Sequence, residues 1–317
     1  MSSYPCTSEY SPAWRYGRLP ICFKTSVGDR LNVVRVLVTN DDGIFAPGLW
    51  VLARKLKEIA SVIVAAPDRE QSATGTAVTL SGPIRVQKIT PPIGDVTTFS
   101  IEGTPSDSVI LAIEKLVKEP IDFVVSGINN GPNVGDDVFI SGTVGAAMQG
   151  YFRGISAVAT SAPSLNETNL ENAAEITALL LKALYEDHKT CVFLNINVPE
   201  KKPEEIKGVR LADLAHKTHI DTVREGYDGK REYYWLVRQK LKTNTAENTD
   251  ISALEDGCIS VSALHTILFQ EELTLTGQWC AKVYAEFVEH THQPKNTLSA
   301  SASQPQSSLP TNTIRGQ

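Results

Sequence analysis

Between residues 33 and 199 the apolar and polar positions follow two alternating rhythms. Short stretches are apolar at nearly every position and rich in β-branched residues: "VVRVLVT" from Val33, "SVIVAAP" from Ser61, "DFVVSG" from Asp122, "SAVATS" from Ser156 and "VFLNINV" from Val192. Such runs read as strands buried on both faces. Between them lie segments with a helical repeat. In "PGLWVLARKLKEIA" the residues Leu49, Leu52, Ala53, Leu56 and Ile59 share one face, and Pro47 suits a first helical turn. Further helices are expected over about Ser106–Lys118, Gly142–Phe152 and Leu170–Tyr185. Strand runs that alternate with amphipathic helices predict an α/β fold, a parallel sheet with helices on both faces.

Past Pro199 the rhythm loosens. "KGVRLADLA", "REYYWLVRQ" and "GCISVSAL" read as strands of a smaller β-rich extension that projects as hairpins, followed by a helix over about Thr276–Glu289. Residues 1–32 are turn-rich and read as an extension. The stretch 291–317 is rich in Ser, Gln, Pro and Thr and is expected to be disordered, because it cannot bury enough apolar surface to offset its ordering entropy. The expected division is therefore 1–32, then 33–290 (a core of 33–199 and a β-rich arm with its helix over 200–290), then 291–317.

Composition narrows the function. A net charge of -6 and a pI near 5.6 argue against binding a nucleic-acid polymer. They leave room for small anionic substrates if a bound cation reverses the local field. The five cysteines are scattered with no CxxC spacing, so neither a disulfide framework nor a thiolate zinc site is implied. The chain shows no apolar run of the length that spans a bilayer, about 18 residues, and the first 30 residues lack a signal-peptide core. The expectation is a cytoplasmic protein that does not enter membranes.

The candidate chemistry gathers where ligands sit in open parallel sheets, beyond the carboxyl ends of the strands. "TNDDG" follows the first strand, "PDREQSATG" the second, and "SGINNGPNVGDDVFISGT" follows "DFVV". The adjacent carboxylates Asp41 and Asp42 suit a hard divalent cation; alternatively, one caps the following helix while the other faces water. Ser72 and Thr74 offer neutral oxygens beside Gly75, in what could equally be a polar turn. Asn129, Asn130 and Asn133 lie among glycines, and Ser141, Gly142 and Thr143 open the expected helix. There, backbone N–H groups and hydroxyls make an anion site, unless the segment is only a capped connection. GxxxxGK[ST], GxGxxG and D-x-D are all absent from these positions, which removes an ordinary P-loop, a dinucleotide site and an aspartyl-phosphate phosphatase. His216 and His219 read as solvated, and His265 as structural.

In order and spacing, "RVLVTNDDGIFAPG", "VIVAAPDREQSATG", "IEGTPSDSV", "DFVVSGINNGPNVGDDVFISGTVGAA" and "LNINVP" resemble the SurE family of survival proteins, from about Val34 to about Glu289. The resemblance implies a Rossmann-like core and a divalent-metal-dependent 5'-nucleotidase that hydrolyses nucleoside monophosphates, with short-chain polyphosphate as a further substrate. It implies one Mg2+ or Mn2+ per subunit, held by Asp41, Asp42, Ser72 and Asn129. The phosphate side falls on Ser141, Gly142 and Thr143, with Asn40 expected to join them. Catalysis is expected of Asp41 and Asp42, Asp41 being the candidate for orienting or deprotonating the attacking water, with the division of that task between the two left open. It also implies a homodimer or homotetramer built with the C-terminal extension. Ile140, Gln149–Gly150, "GTPSDS" and Asn248–Thr249–Asp250 depart from the common pattern, and they bear on substrate preference and oligomer contacts rather than on the metal shell. Val34 stands where members of the family begin, so a translation start there is expected, to be checked by intact mass. The rival class is a non-catalytic metal- and nucleotide-binding sensor, separable by phosphate release from AMP or GMP.

Overall fold

The computed structural model describes residues 34–187, 191–216, 219–240 and 246–266, together with Lys282 and Val283. The chain divides into two compact units, Met1–His265 and Thr266–Gln317. The sheet and its helices belong to the first unit. The expected extension over 1–32, the tail over 291–317 and the helix Thr276–Glu289, apart from Lys282 and Val283, lie outside the described residues.

In chain order the elements are β1 (Arg35–Thr39), α1 (Pro47–Lys57), β2 (Ser61–Pro67), β3 (Val86–Lys88), β4 (Thr97–Ile101), α2 (Pro105–Leu111) and β5 (Phe123–Asn130). Then come α3 (Gly142–Phe152), β6 (Ser156–Ala162), α4 (Glu167–Asp187), β7 (Phe193–Asn197), β8 (Val209–Leu211), β9 (His219–Tyr227), β10 (Glu232–Lys240), α5 (Asp250–Glu255) and β11 (Ile259–Ala263). A nine-stranded sheet runs β3-β4-β2-β1-β5-β6-β7-β11-β8, and β9 pairs with β10 in a separate hairpin. The inner strands β4 to β7 are parallel, whereas β3 runs antiparallel to β4 and β11 antiparallel to β7.

Side-chain alternation along the strands feeds two cores. Val36, Val38, Val64 and Ile196 join Leu49, Leu52 and Leu56 of α1 and Ala173 and Ala174 of α4 on one face. Leu37, Val124, Ala159 and Phe193 join Val109 of α2 and Val144 and Ala147 of α3 on the other. Residues buried on both faces explain why the strand runs lack polar alternation. This doubly covered sheet is the α/β fold that the sequence rhythm predicts. Among the described residues no helix is long and apolar enough to cross a membrane.

Three expectations change in detail. The helix expected over Ser106–Lys118 starts at Pro105, because Thr104 caps it in a reciprocal capping box with Asp107, and after Leu111 it continues as a π turn, Ala112–Leu116. β8 and β11 join the main sheet instead of projecting, so only β9–β10 stands apart. The strands β3, β4 and β9 are additional. β9, "HIDTVREGY", lacks an apolar run because its hairpin is no part of the buried sheet.

Candidate active site

Strand order places β2, β1 and β5 side by side, so the loops that follow them meet at one edge. Backbone bonds then tie the loops together. Gln71 N–H donates to the Asp41 carbonyl at 2.7 Å, Ile44 N–H to the Pro67 carbonyl at 2.8 Å, and Gly75 N–H to the Ile140 carbonyl at 2.9 Å. Helix α3 lies hard against this seam. A Cβ on Gly145 would fall 2.2 Å from the Gly75 carbonyl oxygen, and one on Gly142 would fall 2.8 Å from Asp41 Cβ.

Asp41 is 4% exposed, and Asp42 is half-buried beside it. The alternative in which one of them caps α1 does not hold: Ala46 is the N-cap, without a side-chain cap bond. Instead Asp41 faces the start of α3, where its Oδ1 accepts the Thr143 hydroxyl. Asp42 Oδ2 accepts the Asn130 N–H at 3.3 Å. Burial pushes the Asp41 carboxyl above its ordinary range, although the Thr143 hydroxyl and N–H oppose the shift. Asp42 is pushed up to about 6, first by burial and then by the charge on Asp41. Among the described residues neither carboxylate has a Lys or Arg partner. Two adjacent acids held out of water with no cation are costly, and this is the condition that a bound cation relieves.

The other expected ligands, Ser72 and Asn129, are each tied to a neighbour in their own loop. Ser72 Oγ donates to Glu70 Oε1 at 2.7 Å, which leaves its lone pairs open. Asn129 follows a register shift in β5 that separates it from Ser126. Its Nδ2 donates to the Gly131 carbonyl at 2.7 Å, which fixes the amide and leaves Oδ1 as an acceptor. Asp41, Asp42, Ser72 and Asn129 are therefore each tied to the scaffold by hydrogen bonds and retain oxygen donor capacity. Oxygen donors of this kind suit a hard divalent cation. Among the described residues no group of three or more His, Cys, Asp or Glu is placed to hold a metal ion, so a shell at Asp41 and Asp42 needs neutral oxygens such as those of Ser72 and Asn129.

On the expected phosphate side, Ser141 caps α3, accepting from Val144 N–H at 3.2 Å, and both Gly142 and Thr143 are buried against Asp41. Asn40 is engaged otherwise. It is fully buried, its Nδ2 donates to the Gly43 carbonyl at 3.0 Å and its Oδ1 accepts Gly43 N–H at 3.2 Å, so its amide closes the turn that presents Asp41 and Asp42.

Several supporting contacts are not evident from sequence. Glu70 holds Ser72 and raises the proton affinity of both Asp41 and Asp42. Asn133 is locked by Asn195, Asn197 and Ser161, with its carbonyl accepting from both amides at 2.8 and 2.9 Å. Asp250 is fully buried and accepts Gly135 N–H at 2.7 Å and Ala215 N–H at 3.0 Å. The asparagines of "LNINVP" were the available signal, since amides seldom lie buried in a strand without partners.

Comparison with known proteins gives a consistent picture. A family model described as "Survival protein SurE" matches residues 36–221. The chain is 54% identical over 241 residues to the 5'-nucleotidase SurE of Dehalococcoides mccartyi, covering 75% of this chain and 91% of that protein. It is 42% identical over 238 residues to the 5'/3'-nucleotidase SurE of Cronobacter sakazakii, covering 74% and 91%. Among solved structures it is similar to the SurE protein from Aquifex aeolicus, with a TM-score of 0.68 and 32% identity over 78% of this chain and 99% of that one.

Proposed function

The chain belongs to the SurE family, and from that premise we propose that its three-loop site hydrolyses nucleoside 5'-monophosphates to nucleoside and phosphate with the help of one divalent cation, Mg2+ or Mn2+. The chain is a 5'-nucleotidase of that family. The observation that supports the metal assignment most directly is the buried pair Asp41–Asp42, raised in proton affinity and unmatched by any cation among the described residues.

Asp41, Asp42, Ser72 and Asn129 would hold the cation. When bound, it supplies positive charge against the phosphoryl oxygens and acidifies water. The remaining work belongs to the chain. Asp41 is held at Oδ1 by the Thr143 hydroxyl, which orients its carboxylate to position the water and accept its proton. Ser141, at the cap of α3, and Gly142 beside it offer the phosphate a hydroxyl and the positive end of the helix. Asn40 serves through the turn it closes, and Thr143 through its hold on Asp41.

The test is phosphate release from AMP and GMP with added Mn2+ or Mg2+, repeated in excess chelator. Undiminished turnover in chelator would refute the metal-centred reading; binding of AMP without turnover would favour a sensor. The same assay run on short-chain polyphosphate checks that second substrate class. The expected homodimer or homotetramer is checked by light scattering.

A further inference from the structure

The turn Gly135–Phe139 leads directly into the cap of α3, and side chains from beyond Pro199 hold it at two points. Asp250 accepts Gly135 N–H at 2.7 Å. Arg238, on β10, places Nη1 2.9 Å from Asp137 Oδ1, and its Nε lies 3.2 Å from Asp221 Oδ1 on the paired strand β9. The Asp137 backbone carries the site: its carbonyl accepts Ile140 N–H at 3.1 Å and Ser141 N–H at 3.0 Å. From there Ile140 reaches Gly75, Ser141 caps α3, and Thr143 reaches Asp41.

We propose that Arg238 is a positioning residue for the site, through which the β9–β10 hairpin holds the turn before α3 and thereby sets where Ser141 and Gly142 meet phosphate. The Asp137 side chain is only 14% exposed. An ion pair between two exposed groups contributes little, but Asp137 is largely buried, so the Arg238 guanidinium 2.9 Å away restrains where this turn sits. Movement of Asp137 displaces the carbonyl that anchors Ile140 and Ser141. Arg238 itself spans Asp137 and Asp221, so the hairpin's two strands act on the turn together. The metal ligands on the loops after β1 and β2 are tied to the scaffold by other bonds. Loss of Arg238 should therefore weaken phosphate contacts selectively.

This inference rests on the phosphatase reading, and the experiment separates the two. The full chain and the variants Arg238→Gln, Arg238→Lys, Asp137→Asn and the Arg238→Gln/Asp137→Asn double are compared by AMP kinetics. Mn2+ affinity comes from electron paramagnetic resonance, phosphate affinity in the presence of Mn2+ from calorimetry, and stability from thermal melting. Arg238→Gln should raise KM for AMP and weaken phosphate binding by about tenfold, within the loss of up to about a hundredfold that a small misplacement can cause. Mn2+ affinity and Tm should stay near wild type. Arg238→Lys should recover most of the loss, and the double variant should be no worse than either single one. Wild-type phosphate affinity in Arg238→Gln, equal losses in Mn2+ affinity and Tm, or additive single losses would each overturn the inference. A wild-type chain that binds phosphate but never turns over AMP would refute the phosphatase reading alone.

Discussion

Thr143 donates its hydroxyl to Oδ1 of Asp41, joining the first turn of α3 to the loop after β1 across 102 positions of sequence. The bond gives the buried carboxylate a donor within the protein, and it makes α3 a direct support of the acidic pair. Replacing Thr143 by Val keeps the shape and removes the donor. Leaving that oxygen short of a partner should cost about 1–3 kcal/mol. Thr143→Val should therefore melt at lower temperature and lose phosphatase activity, whereas Thr143→Ser should retain most of both. Equal behaviour of Val and Ser in thermal melts would remove this role.

Asp41 is expected to trade stability for function. Asp41→Asn retains an Oδ1 acceptor for Thr143 while abolishing the buried charge whose desolvation raises its pKa. In chelator at pH 8 the variant should melt higher than wild type, by about 2–4 °C if about 1 kcal/mol is relieved. Its turnover of AMP should fall by about a hundredfold or more, the usual scale for a lost general base. A variant that is less stable without metal, or that turns over normally, contradicts the assignment.

The parts of this architecture legible in sequence are those governed by local pattern. Strands such as Val36–Val38 are buried on both faces and therefore uniformly apolar, and α1 shows its buried stripe through Leu49, Leu52 and Leu56. The acidic pair stands out because adjacent carboxylates at a strand end demand an explanation. Contact between distant segments is not legible in this way. The pairing of Thr143 with Asp41, the lock of Asn133 between Asn195 and Asn197, and the reach of Arg238 to Asp137 exist only once strand order is known. Asn40 is expected on the phosphate side. The structure instead shows its amide spent on Gly43, a local turn whose chemistry an Asn and a Gly three apart could have suggested. The strand β9 escapes a reading of apolar runs because a hairpin outside the buried sheet needs none.

Gly145 tests the seam between α3 and the loop after β2. A Cβ there would sit 2.2 Å from the Gly75 carbonyl oxygen and 2.7 Å from the Gly75 carbonyl carbon, both backbone atoms with no flexible end to yield. Gly145→Ala must push α3 away from that loop, and overpacking of this kind costs about 1–3 kcal/mol. The same shift should break the Gly75–Ile140 bond and separate Ser72 from the start of α3. The expected result is a lower Tm together with weaker Mn2+ binding. An unchanged Mn2+ affinity would show that the loop carrying Ser72 does not depend on this contact.

The pH dependence of metal-induced stabilisation follows from Asp42, whose pKa rises to about 6 in the folded chain through burial and the neighbouring charge on Asp41. The unfolded chain should titrate near the ordinary value of 3.8, so between that value and about 6 the folded state binds more protons. Stability then falls as pH rises, since the slope follows protons bound unfolded minus protons bound folded. Without metal, the Asp42 contribution is most favourable below the unfolded value and is lost by the time pH passes the folded one. A divalent cation needs the ionised carboxylate and competes with the proton, so its stabilisation runs the other way. Adding Mn2+ should raise Tm little at pH 5 and substantially at pH 7.5, with the rise centred near Asp42's value. Asp42→Asn should flatten both trends, and the wild-type minus variant difference isolates this group from the chain's other carboxylates. A Tm increment from Mn2+ that is as large at pH 5 as at pH 7.5, or a wild-type trend that survives in Asp42→Asn, would remove Asp42 from the cation's shell.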